Sequence, residues 1–189
     1  MVSNAAGGCS RRELFALTGG AITAGVIAGC GHKSVRPRVR RIPPPARKGD
    51  LAVLIRALQL EHQAITAYTA GIPLLRGRPQ AAAKHFLDQE ISHAGELAGL
   101  IKQAGGKPSR VHYRYELGHP RTAGEVLQVL HQAEQAQLAW YLGTLPSVAP
   151  GPVRAALAAV LSSDAQHLSL LRSALRLRPT TAAFVSAQQ

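Results

Sequence analysis

Cysteine is almost absent from this chain: of its 189 residues only Cys9 and Cys30 are cysteines, and both lie in the first 30. A disulfide framework is therefore excluded for the rest of the chain. Aromatic residues are also scarce, at 4% of the composition. The remaining composition is rich in alanine and leucine, which favours helices over sheets, and the length suggests one domain with additional segments.

Acidic residues are few, with 10 Asp and Glu against 22 Lys and Arg, for a net charge of +12. The positive excess is unevenly placed. Subtracting the 9 basic residues and 1 acid that precede Asp50 leaves 13 and 9, a net of +4. The high isoelectric point is thus mainly a property of the N-terminal segment, and we do not expect nucleic acid as a partner.

The apolar run near the N-terminus, LFALTGGAITAGVIAG, is short and only weakly apolar, and arginines precede it. This pattern favours a signal peptide over residues 1–30 rather than a membrane-spanning helix. Arg11 and Arg12 resemble a twin-arginine export signal. The sequence IAGC resembles the lipobox of bacterial lipoproteins, so Cys30 is the expected site of lipidation. An ordinary secretory signal or an uncleaved anchor is the alternative.

Residues 31–49 form a basic, proline-rich linker in this interpretation, with seven Lys and Arg and no acid. Such a patch would reinforce a lipid anchor against anionic headgroups, by roughly 1 kcal/mol per cation near the surface. The alternative is a linker that is merely solvated. We expect a protein exported by the twin-arginine route and anchored to the outer face of the cytoplasmic membrane.

From Asp50 onward, apolar residues recur every three or four positions in four segments, which predicts amphipathic helices. Asp50 is the expected N-cap of the first segment, and the second begins near Pro79. Thr122 opens the third with a capping-box pattern, and the fourth begins at Pro152. Two short turns flank one long connection, residues 106–121, so we predict an all-α fold: an antiparallel four-helix bundle of two hairpins joined by a long crossover. The predicted bundle covers residues 50–178, followed by a C-terminal tail, 179–189.

The two halves of the predicted bundle resemble each other. Glu61, Tyr68 and Pro73 recur as Glu134, Tyr141 and Pro146 at an offset of 73 residues, and Glu90 with His93 recurs as Asp164 with His167 at an offset of 74. A constant offset of this kind indicates an internal repeat. Two related hairpins would pack about a pseudo-two-fold axis, which would bring the matched residues together.

Six polar residues interrupt the four apolar stripes, each near the middle of its segment: Glu61, Glu90, His93, Glu134, Asp164 and His167. Buried carboxylates must be protonated, paired or bound to a cation, and no Lys or Arg occupies the stripes. Neutral imidazoles are metal ligands. Oxygen donors with two imidazoles suit iron, manganese or zinc. We therefore predict a site for two metal ions, with iron favoured and manganese or zinc as alternatives; a polar core without metal is the competing interpretation.

At these residues the segment from Asp50 to about Arg178 resembles the ferritin-like superfamily, nearer its exported bacterial members than the cage-forming ferritins. The resemblance implies that Glu61, Glu90, His93, Glu134 and His167 occupy ligand positions. Asp164 stands where the family usually has glutamate, and its side chain is one methylene shorter. The third acid-x-x-His pair, Glu116 with His119, lies in the crossover and is taken as incidental.

Several aromatic residues and histidines lie on or beside the stripes close to the six candidate ligands. Tyr68 and Tyr141 are expected mainly as large core residues, with hydrogen bonds to ligands or electron transfer as the alternative. A solvated or peripheral role is expected for His62, His85 and His131, and a packing role for Trp140.

Three functions remain open from the sequence. The first is redox chemistry at a two-metal centre, such as iron oxidation or reaction with a small oxidant, either peroxide or oxygen. The second is metal binding without turnover, and the third is a metal-free structural or stress-related bundle. The oligomeric state is undetermined, and a homodimer is compatible with the sequence.

Overall fold

Four long α-helices dominate the computed structural model, which describes residues 45–111 and 118–180. They are α1 (Leu51–Gly71), α2 (Gly77–Gln103), α3 (Ala123–Thr144) and α4 (Pro152–Ala174). Short 3₁₀ helices span Lys48–Asp50, Ile72–Leu74 and Leu145–Ser147. The described ranges contain no strand, so the all-α prediction is confirmed. Arg11, Arg12, Cys30, Glu116 and the tail beyond residue 180 lie outside the described residues.

The helix ends follow the local chemistry of the sequence. The Thr122 hydroxyl accepts a hydrogen bond from the Glu125 amide at 3.2 Å, and the Glu125 carboxylate accepts one from the Thr122 amide at 3.1 Å. This is the predicted capping box. At the end of α2, the Gly106 amide donates to the Ile101 carbonyl and the Gly105 amide to the Lys102 carbonyl. Gly105 has φ +80°, so glycine supplies the left-handed residue of a Schellman motif.

Two predicted helix starts differ in detail from the structure. Asp50 occupies the N-cap position of α1, but its carboxylate accepts from the Arg47 amide at 2.9 Å and not from α1. The preceding 3₁₀ turn brings that amide closer. Helix α2 begins at Gly77, two residues before Pro79, because proline is tolerated anywhere in the first helical turn, where amides lack intrahelical partners.

Two apolar layers reveal the directions of the helices. One layer holds Leu54 from the start of α1, Ile101 from the end of α2, Tyr141 from the end of α3 and Leu157 from the start of α4. The other layer holds residues from the opposite helix ends, including Tyr68, Phe86, Leu130 and Leu171. Helix α1 is therefore antiparallel to α2 and α3 and parallel to α4. The connection from α2 to α3 must run the length of the bundle, as the crossover prediction requires.

The four helices are not equally close to their neighbours. Within each hairpin, α1 packs against α2 and α3 against α4, and α1 also packs along α3. A Cβ on Gly71 of α1 would lie 2.6 Å from Cγ1 of Val126 in α3, so glycine permits this close approach. The backbones of α2 and α4 come close to each other at far fewer positions than those of the other three neighbouring pairs. The seam between α2 and α4 is thus the loosest of the four.

Among the residues described, no helix combines the length and the apolar character needed to cross a membrane.

Candidate metal centre

The six polar residues singled out by the sequence lie together between the two apolar layers. Glu61, Glu90, Glu134 and Asp164 are 0% exposed and His167 is 1% exposed, while His93 is half-buried. Helices α1 and α3 supply one glutamate each. Helices α2 and α4 each supply a carboxylate and, three residues later, a histidine, because that spacing places two side chains on one helix face.

The donor atoms form two overlapping sets. One set contains Glu61, Glu90 and His93, and the other contains Glu90, Glu134, Asp164 and His167; within each set the donor atoms lie within 4.8 Å of one another. Nδ1 of His93 lies 3.3 Å from Oε2 of Glu61 and 3.9 Å from Oε2 of Glu90. Nδ1 of His167 lies 3.1 Å from Oε1 of Glu90 and 3.3 Å from Oε1 of Glu134. Glu90 therefore belongs to both sets, one oxygen toward each imidazole.

Asp164 completes the second set despite its shorter side chain. It shares that set with His167, and its Oδ1 is also 3.6 Å from Nδ1 of His93. The carboxylate thus stands between the two imidazoles, on the opposite helix from Glu90. It occupies the place that the internal repeat assigns to it.

Two tyrosines hold the glutamates of α1 and α3 in a reciprocal arrangement. The Tyr68 hydroxyl donates to Oε1 of Glu134, and the Tyr141 hydroxyl donates to Oε1 of Glu61, each at 2.5 Å. Both tyrosines are also 0% exposed, so they fill the core as expected and hydrogen-bond the candidate ligands as well. Each tyrosine reaches the glutamate of the other hairpin. Helices α1 and α3 are therefore linked twice across the centre.

Two glutamines that the sequence analysis did not identify also bond to residues of the centre. Nε2 of Gln137 donates to Oε1 of Glu61 at 3.1 Å, and Nε2 of His167 lies 2.7 Å from Oε1 of Gln89. The glutamine oxygen can only accept, so Nε2 of His167 carries a proton and Nδ1 is the nitrogen that faces the carboxylates. Gln137 lies on the apolar stripe of α3, which was an available signal. Gln89 had none, because it flanks the stripe of α2 and looks like a surface residue.

The remaining candidates lie outside the centre. His62 is 7% exposed, so the expectation of a solvated side chain is wrong, because α1 turns this position inward. His85 is exposed, and His131 is half-buried, with Nε2 3.5 Å from Nη1 of Arg172. Burial and the Arg172 charge lower the pKa of His131. Trp140 packs edge-on against Tyr141, with ring centroids 5.1 Å apart.

The pKa values in the centre are shifted because four carboxylates are buried there, and no Lys or Arg among the described residues is buried with them. Burial raises the pKa of Asp164 to about 11, and the charges of nearby glutamates add to this. Burial also raises the pKa values of Glu61 and Glu134. For Glu90, burial acts in the same direction but is outweighed by His167 and His93, which lower its pKa. Glu90 is thus the carboxylate best able to stay ionised, because it lies between both imidazoles.

The imidazoles show the complementary shift. Burial favours their neutral forms, but the adjacent glutamate carboxylates, which accept from a protonated imidazole, outweigh it and raise the pKa values of His93 and His167 to about 9. Without a cation, the cluster therefore retains protons that a metal would displace.

The residues fit a site for cations. Seven buried atoms that could ligate a metal have no hydrogen-bond partner. They are Oε2 of Glu61, both oxygens of Glu90, Nδ1 of His93, Oε2 of Glu134 and both oxygens of Asp164. No Lys or Arg is buried within residues 45–111 and 118–180. Unsatisfied buried acceptors are rare in native proteins and indicate a missing cation or water. Four carboxylates and two imidazoles are a donor set typical of iron, manganese and zinc.

Comparison with known proteins agrees with this arrangement. A family model for the ferritin-like domain matches residues 49–177. The chain belongs to the ferritin-like domain family. A solved structure, described as a conserved hypothetical protein, rv2844, from Mycobacterium tuberculosis, is similar in fold with a TM-score of 0.64 and 18% sequence identity. The match covers 73% of this chain and 99% of that one. A search of curated proteins finds no match.

The ferritin-like domain contains all six candidate ligands, since the matched range runs from 49 to 177. Its four helices and its buried carboxylate and histidine cluster are those of a bundle that could bind two metals. Membership of the ferritin-like superfamily and the predicted four-helix fold are therefore confirmed. The roles of the individual ligands remain predictions.

Proposed function

We propose that this chain is an exported, membrane-tethered ferritin-like protein that binds two metal ions, iron or manganese, and uses them to oxidise iron or to react with peroxide or oxygen. One observation carries the proposal: two buried donor sets share the carboxylate of Glu90. A shared carboxylate with one oxygen toward each set suits two neighbouring cations. The unsatisfied oxygens of Asp164, between the two imidazoles, support the same arrangement.

The surrounding residues would prepare this site for metal. Tyr68 and Tyr141 each hold one oxygen of a glutamate, and the other oxygen, Oε2 of Glu134 or Glu61, is buried and has no hydrogen-bond partner. The bound glutamates are thus oriented before a cation arrives. The apolar layers on both sides exclude water and strengthen the interaction of the carboxylates with a cation.

Bound iron or manganese would supply the electrons for reduction of the oxidant. The chain itself would orient the ligands, keep bulk water away from them with its apolar layers, and hold or release the protons of the cluster. Because the pKa of Asp164 and those of His93 and His167 are raised, these groups must release protons when metal binds.

The central experiment measures metal content and turnover on the full chain. Protein purified without chelator should contain iron or manganese by elemental analysis. After anaerobic loading with iron, it should consume peroxide or oxygen. Glu90→Ala should lose both properties because both donor sets depend on that carboxylate. Glu96→Ala, an exposed acid on the same helix, is the matched control and should retain them.

Each alternative outcome has a clear meaning. Bound metal without consumption of oxidant would replace the redox proposal with metal binding alone. Protein without metal that also fails to bind added iron or manganese would refute the two-metal centre and leave a structural bundle.

The proposed location requires a separate test. Fractionation of cells should place the chain with the membrane, and Cys30→Ser should release it into a soluble fraction. Replacing Arg11 and Arg12 with lysines should block export. A wild-type chain recovered from the cytoplasm would contradict the location without affecting the metal proposal.

A further inference from the structure

The two donor sets are unequal, although the internal repeat predicts matching halves. We define the His167 half as Glu90, Glu134, Asp164 and His167, and the His93 half as Glu61, Glu90 and His93. The first gathers four donors within 4.8 Å of one another, and the second gathers three, with Asp164 beside it at 3.6 Å from Nδ1 of His93. The His167 half therefore gathers one more ligand atom around a single point than the His93 half does.

The halves also differ in access to solvent. The side chain of His93 is 15% exposed and that of His167 is 2% exposed. Both histidines come from α2 and α4, the two helices with the loosest seam. The His93 half is thus the side of the centre nearer to solvent, although its ligand atoms are themselves buried.

The imidazole of His167 has two supporting contacts that the repeat does not reproduce for His93. Its Nε2 donates to Gln89 at 2.7 Å, and Phe86 stacks on its ring with centroids 4.2 Å apart. At the repeat offset of 74, Gln89 is replaced by Ser163 and Phe86 by Val160. Serine is too short to substitute for glutamine, and valine has no ring, so the matching positions give His93 no equivalent support.

Glu61 and Glu134 differ in the second partner of Oε1, which is an amide for Glu61 and the imidazole of His167, 3.3 Å away, for Glu134. Oε1 of Glu61 accepts from both Tyr141, at 2.5 Å, and Gln137, at 3.1 Å. At the repeat offset of 73, Gln137 is replaced by Ala64. Two donors on one oxygen leave Oε2 as the atom of Glu61 available to a cation. Since its set gathers three donors against four, the His93 half would hold a cation through fewer protein atoms and leave positions for water or another small molecule.

We infer that the centre loads in order: the His167 half takes the first metal ion and holds it tightly, and the His93 half takes the second ion weakly and exposes it to small ligands. This inference rests on the proposed two-metal function. It adds the sequence of binding, the side from which small molecules approach, and a positioning role for Gln89.

The test is an anaerobic titration of the metal-free full chain with Mn²⁺, followed by calorimetry. We expect two steps of one equivalent each, with dissociation constants at least tenfold apart. His93→Ala should abolish the weak step and keep the tight one, whereas His167→Ala should leave only weak binding. Gln89→Leu should weaken the tight step by about 10- to 100-fold, the usual effect of losing a partner that orients a ligand. His85→Ala, an exposed histidine of the same helix, is the control and should change neither step.

Access is tested with Co²⁺ and azide. Azide should alter the visible spectrum of the cobalt protein only after the second equivalent has bound. Circular dichroism checks each variant for helix content, and His93→Gln and His167→Gln replace any alanine variant that fails to fold.

The outcomes separate this inference from the function on which it rests. Two steps of equal affinity, a tight step that survives in His167→Ala, or an azide response at the first equivalent would overturn the ordered loading. Absence of any Mn²⁺ or Co²⁺ binding would instead refute the two-metal function itself.

Discussion

Asp164→Asn should stabilise the metal-free protein while weakening its response to metal. Asp164 is 0% exposed, and neither carboxylate oxygen has a hydrogen-bond partner. Burial, reinforced by the charges of Glu90, Glu61 and Glu134, raises its pKa from 3.8 to about 11. At pH 7 the metal-free folded protein therefore keeps this group protonated, although the unfolded chain would ionise it.

The magnitude follows from that difference. An acid whose pKa is raised by folding lowers the free energy of unfolding at every pH above its unfolded pKa. The loss is absent near pH 3, grows as the pH rises, and stops growing near the folded pKa of about 11. Since pH 7 lies about 3 pH units above the unfolded value, at about 1.4 kcal/mol per unit the loss reaches at most about 4 kcal/mol. Asparagine has the same shape and never ionises, so we expect a gain of about 2–4 kcal/mol at pH 7.

The assay is urea unfolding followed by circular dichroism, with chelator present, at pH 4 and pH 7. Asp164→Asn should exceed the wild type at pH 7 and match it at pH 4. Added Mn²⁺ should stabilise the wild type more than the variant. Asp88→Asn, an exposed acid on α2, is the control and should change little. A variant no more stable than the wild type at pH 7, or equally stabilised at both pH values, would refute this account of the buried charge.

Three further predictions concern other parts of the bundle. Metal affinity should rise from pH 6 to pH 9, because the pKa values of His93 and His167 are raised to about 9 and metal must compete with protons for these imidazoles. Calorimetry in buffers of different ionisation enthalpy should detect the release of protons. An affinity that does not change with pH would contradict this prediction. Tyr68→Phe and Tyr141→Phe should each lower the free energy of unfolding by about 1–3 kcal/mol, since each removes a buried hydrogen bond to a glutamate carboxylate; equal melting temperatures would refute this. Arg176→Gly should raise the free energy of unfolding by about 1 kcal/mol, because Arg176 has φ +59° at the end of α4; no gain in urea unfolding would exclude strain there.

The sequence predicted the helices well because their signals are local. Periodic apolar positions, the Thr122 capping box and the glycines after α2 each depend on neighbours within a few residues. The six candidate ligands were also predictable, because a buried carboxylate stands out on an apolar stripe and the repeat pairs each with a counterpart. Their meeting at one point required only the helix directions and the pseudo-two-fold relation.

The partners around the ligands were less predictable, because they depend on helix rotation and on register between helices. Tyr68 lies two turns from Glu61 on its own helix, yet it bonds to Glu134 of the other hairpin. Gln89 reaches His167 because α2 and α4 face each other at that height. The difference in exposure between His93, at 15%, and His167, at 2%, likewise depends on how the helices pack, which no single helix encodes.

The reciprocal tyrosine bonds have a consequence for the order of folding. Each hairpin consists of neighbouring helices joined by a short turn, so its contacts close small loops and form early. Neither hairpin alone provides the hydroxyl that its own glutamate needs, since Tyr68 serves Glu134 and Tyr141 serves Glu61. The cluster is assembled only when the two hairpins dock. Metal capture is therefore a late kinetic event, and metal should slow unfolding far more than it speeds folding.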